Sequence, residues 1–361
     1  MTEKLTTGIV SLVIALSVSM VVRAQSPDAR YPFIRDDKVG FIDYQGREVI
    51  PPRFYNVGDM AHFHNGLACV GEPEKGWGYI DPSGSFVIGP STKWAWGRAF
   101  HEGVAAVMIL GDPNQPAWIN DKGEIIFTGM GTEGAYFSEG LMPMRNSDGK
   151  YGFVNKKFKY VIPPTYDLAF EFEDGRAQVW LNDKWGFVDL SGKVVVDLKY
   201  DWVSQFSDGL AHVRVDTAIG VVETMEGRLI AENGRHGFVD KSGNEVIGLQ
   251  FDEVTSFVNG LAFAAPASLR KFGIIDKHGA FVVQPQFDSA LEFHEGLAVV
   301  QKGERFGFVD TSGKRVIPPK FTHADSFQNG LARVAWDPGI SGYIDKTGKV
   351  IWSSKAKGAK D

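Results

Sequence analysis

An all-β chain built from short tandem units is the fold class this sequence predicts, and three observations predict it. A Gly-Leu-Ala-x-Val segment recurs, with glycines at Gly66, Gly103, Gly140, Gly175, Gly209, Gly260, Gly296 and Gly330. Their intervals are 37, 37, 35, 34, 51, 36 and 34 residues, which is the mark of a repeat array. A phenylalanine stands three residues before every one of them: Phe63, Phe100, Phe137, Phe172, Phe206, Phe257, Phe293 and Phe327. Downstream of most copies comes aromatic-Gly-aromatic-Ile/Val-Asp, as in Trp77-Gly78-Tyr79-Ile80-Asp81, Trp185-Gly186-Phe187-Val188-Asp189 and Phe306-Gly307-Phe308-Val309-Asp310.

Each segment has a physical reading. Alternation puts Trp185 and Phe187 on one face and Gly186 and Val188 on the other, so both faces are apolar, as in a strand covered on both sides. The glycine, repeated at Gly237, Gly273 and Gly342, lets another backbone come close. Asp189 to Gly192 reads as a tight turn: the Asp accepts backbone N–H groups and the Gly supplies positive φ. Val-Ile then forms a returning strand, which Pro51-Pro52, Pro163-Pro164 and Pro318-Pro319 are expected to stop. Leu-Ala-x-Val is a third strand. Each unit is therefore expected to be a three-stranded antiparallel meander with a loop-like connector plugged by Phe. A unit of 35 residues cannot bury its own faces, so neighbours must stack. Unit 3 is worn, with Ala117 in place of the Gly and Asn120 in place of the Asp. The interval of 51 predicts an enlarged unit over 209–247 that carries an extra hairpin and five strands.

This pattern resembles the WG, or KWG, repeat family of bacterial proteins, whose eponymous core matches Lys184-Trp185-Gly186-Phe187-Val188-Asp189. The resemblance covers about nine units over 31–352. It implies a repeat scaffold, commonly exported or attached to other domains, with no shared catalytic residues. Two architectures fit: an open curved β-solenoid or superhelix, and a closed propeller-like ring. The short period, the number of units and the strand phases at the two ends favour the open form.

The 361 residues carry a net charge of −6 and are 43% hydrophobic, which excludes whole-chain disorder and argues against nucleic acid as a partner. One cysteine, Cys69, excludes an intrachain disulfide and a cysteine-based zinc site. Met1–Ala24 reads as a secretory signal peptide: Lys4 precedes an apolar stretch too short for a membrane span, and Val22-Arg23-Ala24 places cleavage before Gln25. A short linker, 25–30, follows. At the other end 353–361 reads as a disordered polar tail.

The repeat accounts for most titratable residues. Asp43, Asp81, Asp189, Asp240, Asp276, Asp310 and Asp345 share the turn position. Glu102, Glu139, Asp174, Asp208 and Glu295 share the position before the Gly-Leu-Ala glycine, and His64, His101 and His294 share another column. No metal site, catalytic motif or cofactor is expected. Trp77, Trp118 and Trp185 are packing residues. The candidate binding residues are those that leave the pattern: Trp94 and Trp96 with Arg98 in an atypical connector, Trp180, whose column holds Arg214 and Gln301 elsewhere, and Trp202. Exposed Trp with Arg is what binding surfaces use, and flat rings stack on sugars. The expected function is a non-catalytic exported scaffold, periplasmic or extracellular, for a protein or cell-envelope partner. A glycan-binding protein is the second expectation, and a glycan-active enzyme the third.

Overall fold

The computed structural model describes residues 29–55, 62–111, 115–129, 135–224, 227–267, 269–337 and 340–354. These residues form only antiparallel strands and turns, arranged in eight small sheets. Nine consecutive units are recognisable: 29–55, 62–91, 94–128, 135–166, 168–200, 202–254, 255–287, 289–321 and 323–354. We number them 1 to 9.

Unit 5 shows the rule. The Gly-Leu-Ala strand is Arg176–Leu181, the Trp-Gly strand is Lys184–Asp189, and the returning strand is Val194–Tyr200. Val179 lies opposite Gly186. Trp185 then pairs with Tyr200 and Phe187 with Val196, so between these pairs Gly186 alone faces three residues, Asp197, Leu198 and Lys199, on the other strand. This bulge brings the returning backbone against the glycine: a Cβ on Gly186 would lie 2.5 Å from the Val196 carbonyl oxygen. Gly152, Gly237, Gly273 and Gly307 meet the same obstacle at 2.4–2.5 Å. Worn unit 3 supplies the contrast. Ala117 has a Cβ, and there Trp118 pairs with Phe127 and Ala117 with Thr128, without the wide bulge.

Three expectations about the unit are corrected. Pro-Pro does not stop the returning strand. Pro163 and Pro164 lie inside the strand Tyr160–Tyr166, in the bulge, where a proline forfeits no ladder bond. The connector is not always a loop. In units 3, 5, 6, 8 and 9 it forms a fourth strand on the inner side of the Gly-Leu-Ala strand, for example Leu168–Glu173. Unit 6 has no separate extra hairpin. Its insertion lengthens one hairpin, Leu210–Thr224 against Gly227–Asp240, paired from Leu210–Asp240 out to Thr224–Gly227. The alternating pattern simply continues past Gly220 without a turn.

Units stack through the connector phenylalanine. Phe206 of unit 6 meets Phe187 of unit 5 with ring centroids 4.6 Å apart, Phe172 meets Phe153 at 4.7 Å, and Phe327 meets Phe308 at 4.8 Å. Nine clusters of buried residues result among the described residues. Eight join consecutive units. The ninth joins Leu331 and Tyr343 of unit 9 to Ala29, Tyr31, Phe33 and Ile42 of unit 1.

The expected leader 1–24 lies outside the described residues, as do 25–28 of the linker and 355–361 of the tail. The described ends are packed. Ala29 is buried, and the Arg30 Nε donates to the Pro82 carbonyl at 2.8 Å. Ser353 ends a strand, and the Ser354 N–H donates to the Ser341 carbonyl at 2.8 Å.

Candidate functional site

The repeated charged columns are used up in holding units together. Residues such as Asp174-Gly175 form a two-residue hairpin turn, with φ of 58° and 77°. At this turn Glu102, Glu139 and Glu295 also adopt positive φ, which disfavours Glu. What they gain is contact with the next unit. Glu295 accepts the Gly330 N–H at 3.0 Å and pairs with Lys346 at 3.0 Å; Glu102 accepts Gly140 N–H at 3.2 Å and pairs with Lys156 at 3.1 Å. The opposite edge carries a second clasp. Lys184, the lysine of the Lys-Trp-Gly core, lies 2.5 Å from Asp201, whose other oxygen accepts the Asp216 N–H of the next unit at 2.8 Å. Lys150–Asp167 and Lys271–Asp288 repeat it. These partners hold the Asp167, Asp201 and Asp288 carboxyls below their ordinary range. The turn aspartates act within their own unit: Asp189 Oδ1 accepts the Ser191 and Lys193 N–H groups at 2.9 and 3.1 Å.

The five candidate binding residues fall in three different units. Trp94 is corrected: it is 4% exposed and belongs to the core between units 2 and 3, 6.0 Å from Tyr79. Two residues on, Trp96 is half-buried and exposed Arg98 lies over its ring at 5.4 Å. In unit 5 Trp180 is half-buried and stacks on Trp185 at 6.2 Å, and Trp185 stacks on Phe170 at 5.8 Å. Phe170 is 40% exposed, so the three rings form a partly open aromatic row. Trp202, 39% exposed, starts unit 6 and lies 4.8 Å from the His212 ring. Sequence reasoning missed Phe170, because the inner strand that carries it was read as a loop.

Two histidine arrangements were also missed. His64, His101 and Tyr136 stack across units 2, 3 and 4, with centroids 4.5 and 3.8 Å apart. The columns of His101 and Tyr136 differ, so the alignment of repeats hides the pair. In unit 6, buried His212 sits at the x of Leu-Ala-x-Val, and its Nε2 lies 2.5 Å from His236 Nδ1. Burial pushes these imidazoles down to about 3 and about 4. Cys69 is half-buried and its Sγ accepts the Gly97 N–H at 3.2 Å; burial pushes the thiol up to about 12, which removes it as a thiolate nucleophile.

A groove of about 700 Å³ opens where units 9, 1 and 2 meet. Arg30, Phe33 and Ile34 of unit 1, Asp325 and Gln328 of unit 9, and Trp352 line parts of it. It runs along the strand Tyr31–Arg35, whose sheet has no inner fourth strand.

The sequence model of the family described as "WG containing repeat" matches seven segments: 40–72, 77–111, 151–185, 185–216, 237–264, 272–305 and 306–335. Together they span more than half of the chain. The chain belongs to the WG-repeat family. In this WG-repeat protein the matched segments skip 112–150, which holds the worn Trp-Gly and returning strands of unit 3 and the start of unit 4, and 217–236 in the lengthened hairpin. No curated protein matches it. Among solved structures, a eukaryotic initiation factor is similar with a TM-score of 0.59 at 10% identity, covering 90% of this chain and 96% of that one. The computationally designed Ika8 protein gives 0.42 at 11% identity, covering 80% and 93%. BamB from Moraxella catarrhalis gives 0.38 at 12% identity, covering 73% and 88%. The first of these likenesses is one of fold alone.

Proposed function

We propose that this WG-repeat protein is an exported, non-catalytic binding scaffold, and that its nine units close into a ring instead of the open superhelix favoured by the strand phases. The observation that carries the scaffold reading is the fate of the charged columns. Turn aspartates cap their own hairpins, and the Glu–Lys and Lys–Asp pairs clasp neighbouring units. Chemistry repeated around an array in this way serves the array. The ring is supported by the ninth cluster: nine interfaces for nine units is the count of a ring, and an open array of nine has eight. Tyr31 Oη donates to the Asn329 carbonyl at 2.6 Å and Tyr343 Oη to the Pro32 carbonyl at 3.1 Å across that seam.

A repeat scaffold offers a broad surface for a protein or an envelope polymer. The test is a pull-down with the mature chain, Gln25–Asp361, against envelope fractions of its own source, reading bound proteins and bound polysaccharide separately. A specific protein supports the scaffold reading; failure to retain either class contradicts an envelope partner. A glycan ligand is the second reading, favoured by the row Phe170, Trp185 and Trp180, because stacked flat rings fit sugar faces. Here Trp180→Ala would abolish polysaccharide retention while leaving the circular dichroism spectrum unchanged, and unaltered retention would remove the row as the site.

A further inference from the structure

The lengthened hairpin of unit 6 outruns its own sheet. The inner strand Trp202–Ser207 pairs with Leu210–Thr224 only as far as Trp202–Arg214, and the Asp201 carboxylate takes the Asp216 N–H at 2.8 Å. On the other side the returning strand Glu245–Val254 pairs with Gly227–Asp240 only as far as Phe251–His236. Beyond Asp216 and His236 the hairpin continues to Thr224–Gly227 as a two-stranded ribbon. No strand among the described residues pairs with either of its edges. Two strands alone are marginal in water, whereas three or more with a shared apolar face hold together.

The two edges differ. Between the pairs Ala218–Glu232 and Val221–Ile230 the strand Leu210–Thr224 carries an extra residue, a bulge that blunts its edge. The strand Gly227–Asp240 runs through the same stretch in unbroken alternation. Its open segment, Gly227-Arg228-Leu229-Ile230-Ala231-Glu232-Asn233-Gly234-Arg235, has no proline and no lysine to discourage pairing. Gly227 and Thr224 pair across two intervening residues, so Gly227 bonds within the hairpin. Backbone groups then alternate, and Arg228, Ile230, Glu232 and Gly234 turn theirs to the open side. His236, paired outward with Phe251, keeps the same phase.

We propose that this edge takes a second copy of the chain, with the segments 227–233 of the two copies pairing antiparallel about a two-fold axis at Ile230. Antiparallel strands match outward residues only with outward residues, which limits the two-fold registers to centres on single residues. A centre at Arg228 or Glu232 sets like charges directly opposite each other. A centre at Leu229 sets Ile230 against Arg228, and one at Ala231 sets Ile230 against Glu232. The centre at Ile230 sets Arg228 opposite Glu232 of the second copy, twice over, and Ile230 opposite its own copy. This register also fits the length of the edge, because it ends before His236, where Phe251 occupies the strand. Within each ribbon Val221 lies opposite Ile230 and Glu223 opposite Arg228. The joined sheet thus gains an apolar row, Val221 and Ile230 from both copies, flanked on each side by Glu223, Arg228 and Glu232 in alternating charge. The contact is independent of the ring and of any other partner, and it covers an edge that would otherwise template less specific pairing.

The experiment is sedimentation velocity of the mature chain over a concentration series, where a monomer–dimer equilibrium is expected. Glu232→Arg sets like charges opposite each other and should weaken the dimer at least about tenfold. Adding Arg228→Glu to that variant restores opposite charges and should bring the dimer back, which also separates lost pairing from lost folding. In a Cys69→Ala background, Ile230→Cys should give a disulfide-linked dimer under mild oxidation, since the residue on the axis meets its own copy. Val221→Cys, on the far strand of the ribbon, should not. A chain that sediments as a monomer throughout overturns the proposal. So does a dimer that Glu232→Arg leaves unchanged and Ile230→Cys fails to link. The ring is judged separately on the Glu232→Arg chain, whose scattering carries no contribution from a second copy.

Discussion

The interface between units 8 and 9 and the seam between units 9 and 1 do the same job with different residues. At the regular interface Phe327 packs on Phe308 at 4.8 Å, and Glu295 clasps Gly330 and Lys346. At the seam the ring comes from Tyr31, which packs on Tyr343, and the bonds between units include the Tyr31 hydroxyl on the Asn329 carbonyl and the Tyr343 hydroxyl on the Pro32 carbonyl. Asn329 stands where Glu295 stands one unit earlier, so the carboxylate clasp is gone and an amide holds the turn. The repeat pattern thus encodes a packing volume and a hydrogen bond, and either can be supplied from another position in the unit.

Substitutions can break each side of this comparison. The largest effect is expected at the feature both sides share, the close backbone approach. A Cβ at Gly307 would lie 2.5 Å from the Ile317 carbonyl, so Gly307→Ala should cost about 4 kcal/mol in urea unfolding. Gly89→Ala, with no atom within 4 Å, should be neutral within about 0.5 kcal/mol. At the seam, removing the buried ring by Tyr31→Ala should cost about 3 kcal/mol, measured the same way.

Acidification sharpens the contrast between units 5 and 6. Gln178 of unit 5 donates to the Val203 carbonyl at 2.9 Å, where unit 6 has His212. The imidazoles of His212 and His236 titrate near 3 and 4 when folded and near 6.5 when unfolded. Arg214 lowers both, while Asp216 and Asp252 oppose this at His236. Between those values the unfolded chain binds more protons, so stability is full above about pH 6.5 and falls as pH drops toward 4. His212→Gln should flatten that fall in melting temperature between pH 7 and 4.5. The turn carboxylates of Asp43, Asp81, Asp189, Asp240, Asp310 and Asp345, held below their ordinary range, lose their contribution only at lower pH. The smallest effect belongs to the exposed clasp: Lys346→Met should cost under about 1 kcal/mol, and high salt should erase the difference.

Much of the unit was legible in the sequence because period and steric need coincide. The glycine of Trp185-Gly186-Phe187 was readable as a close approach, and the repeated Asp as a turn acceptor. What escaped depended on partners outside the unit. The prolines of Pro163-Pro164 signal a strand end by local propensity, yet a bulge at a sheet edge accommodates them. Trp94 looked free because its connector departs from the pattern; that departure is a packing solution against Tyr79. Trp180 was found as an off-pattern ring, but its neighbour Phe170 lay in a strand that local sequence does not reveal. The seam escaped because Tyr31 occupies an alanine column, and no comparison within one unit shows that its ring fills a phenylalanine's place in the next.

Small-angle X-ray scattering of the mature chain tests the central claim most directly. A closed ring of this length is compact, and its radius of gyration should be about 20 Å. Nine units stacked at about 10 Å each in an open superhelix would extend roughly 90 Å and raise that radius to about 30 Å. The smaller value agrees with units 9 and 1 sharing a core in solution; the larger one would contradict it.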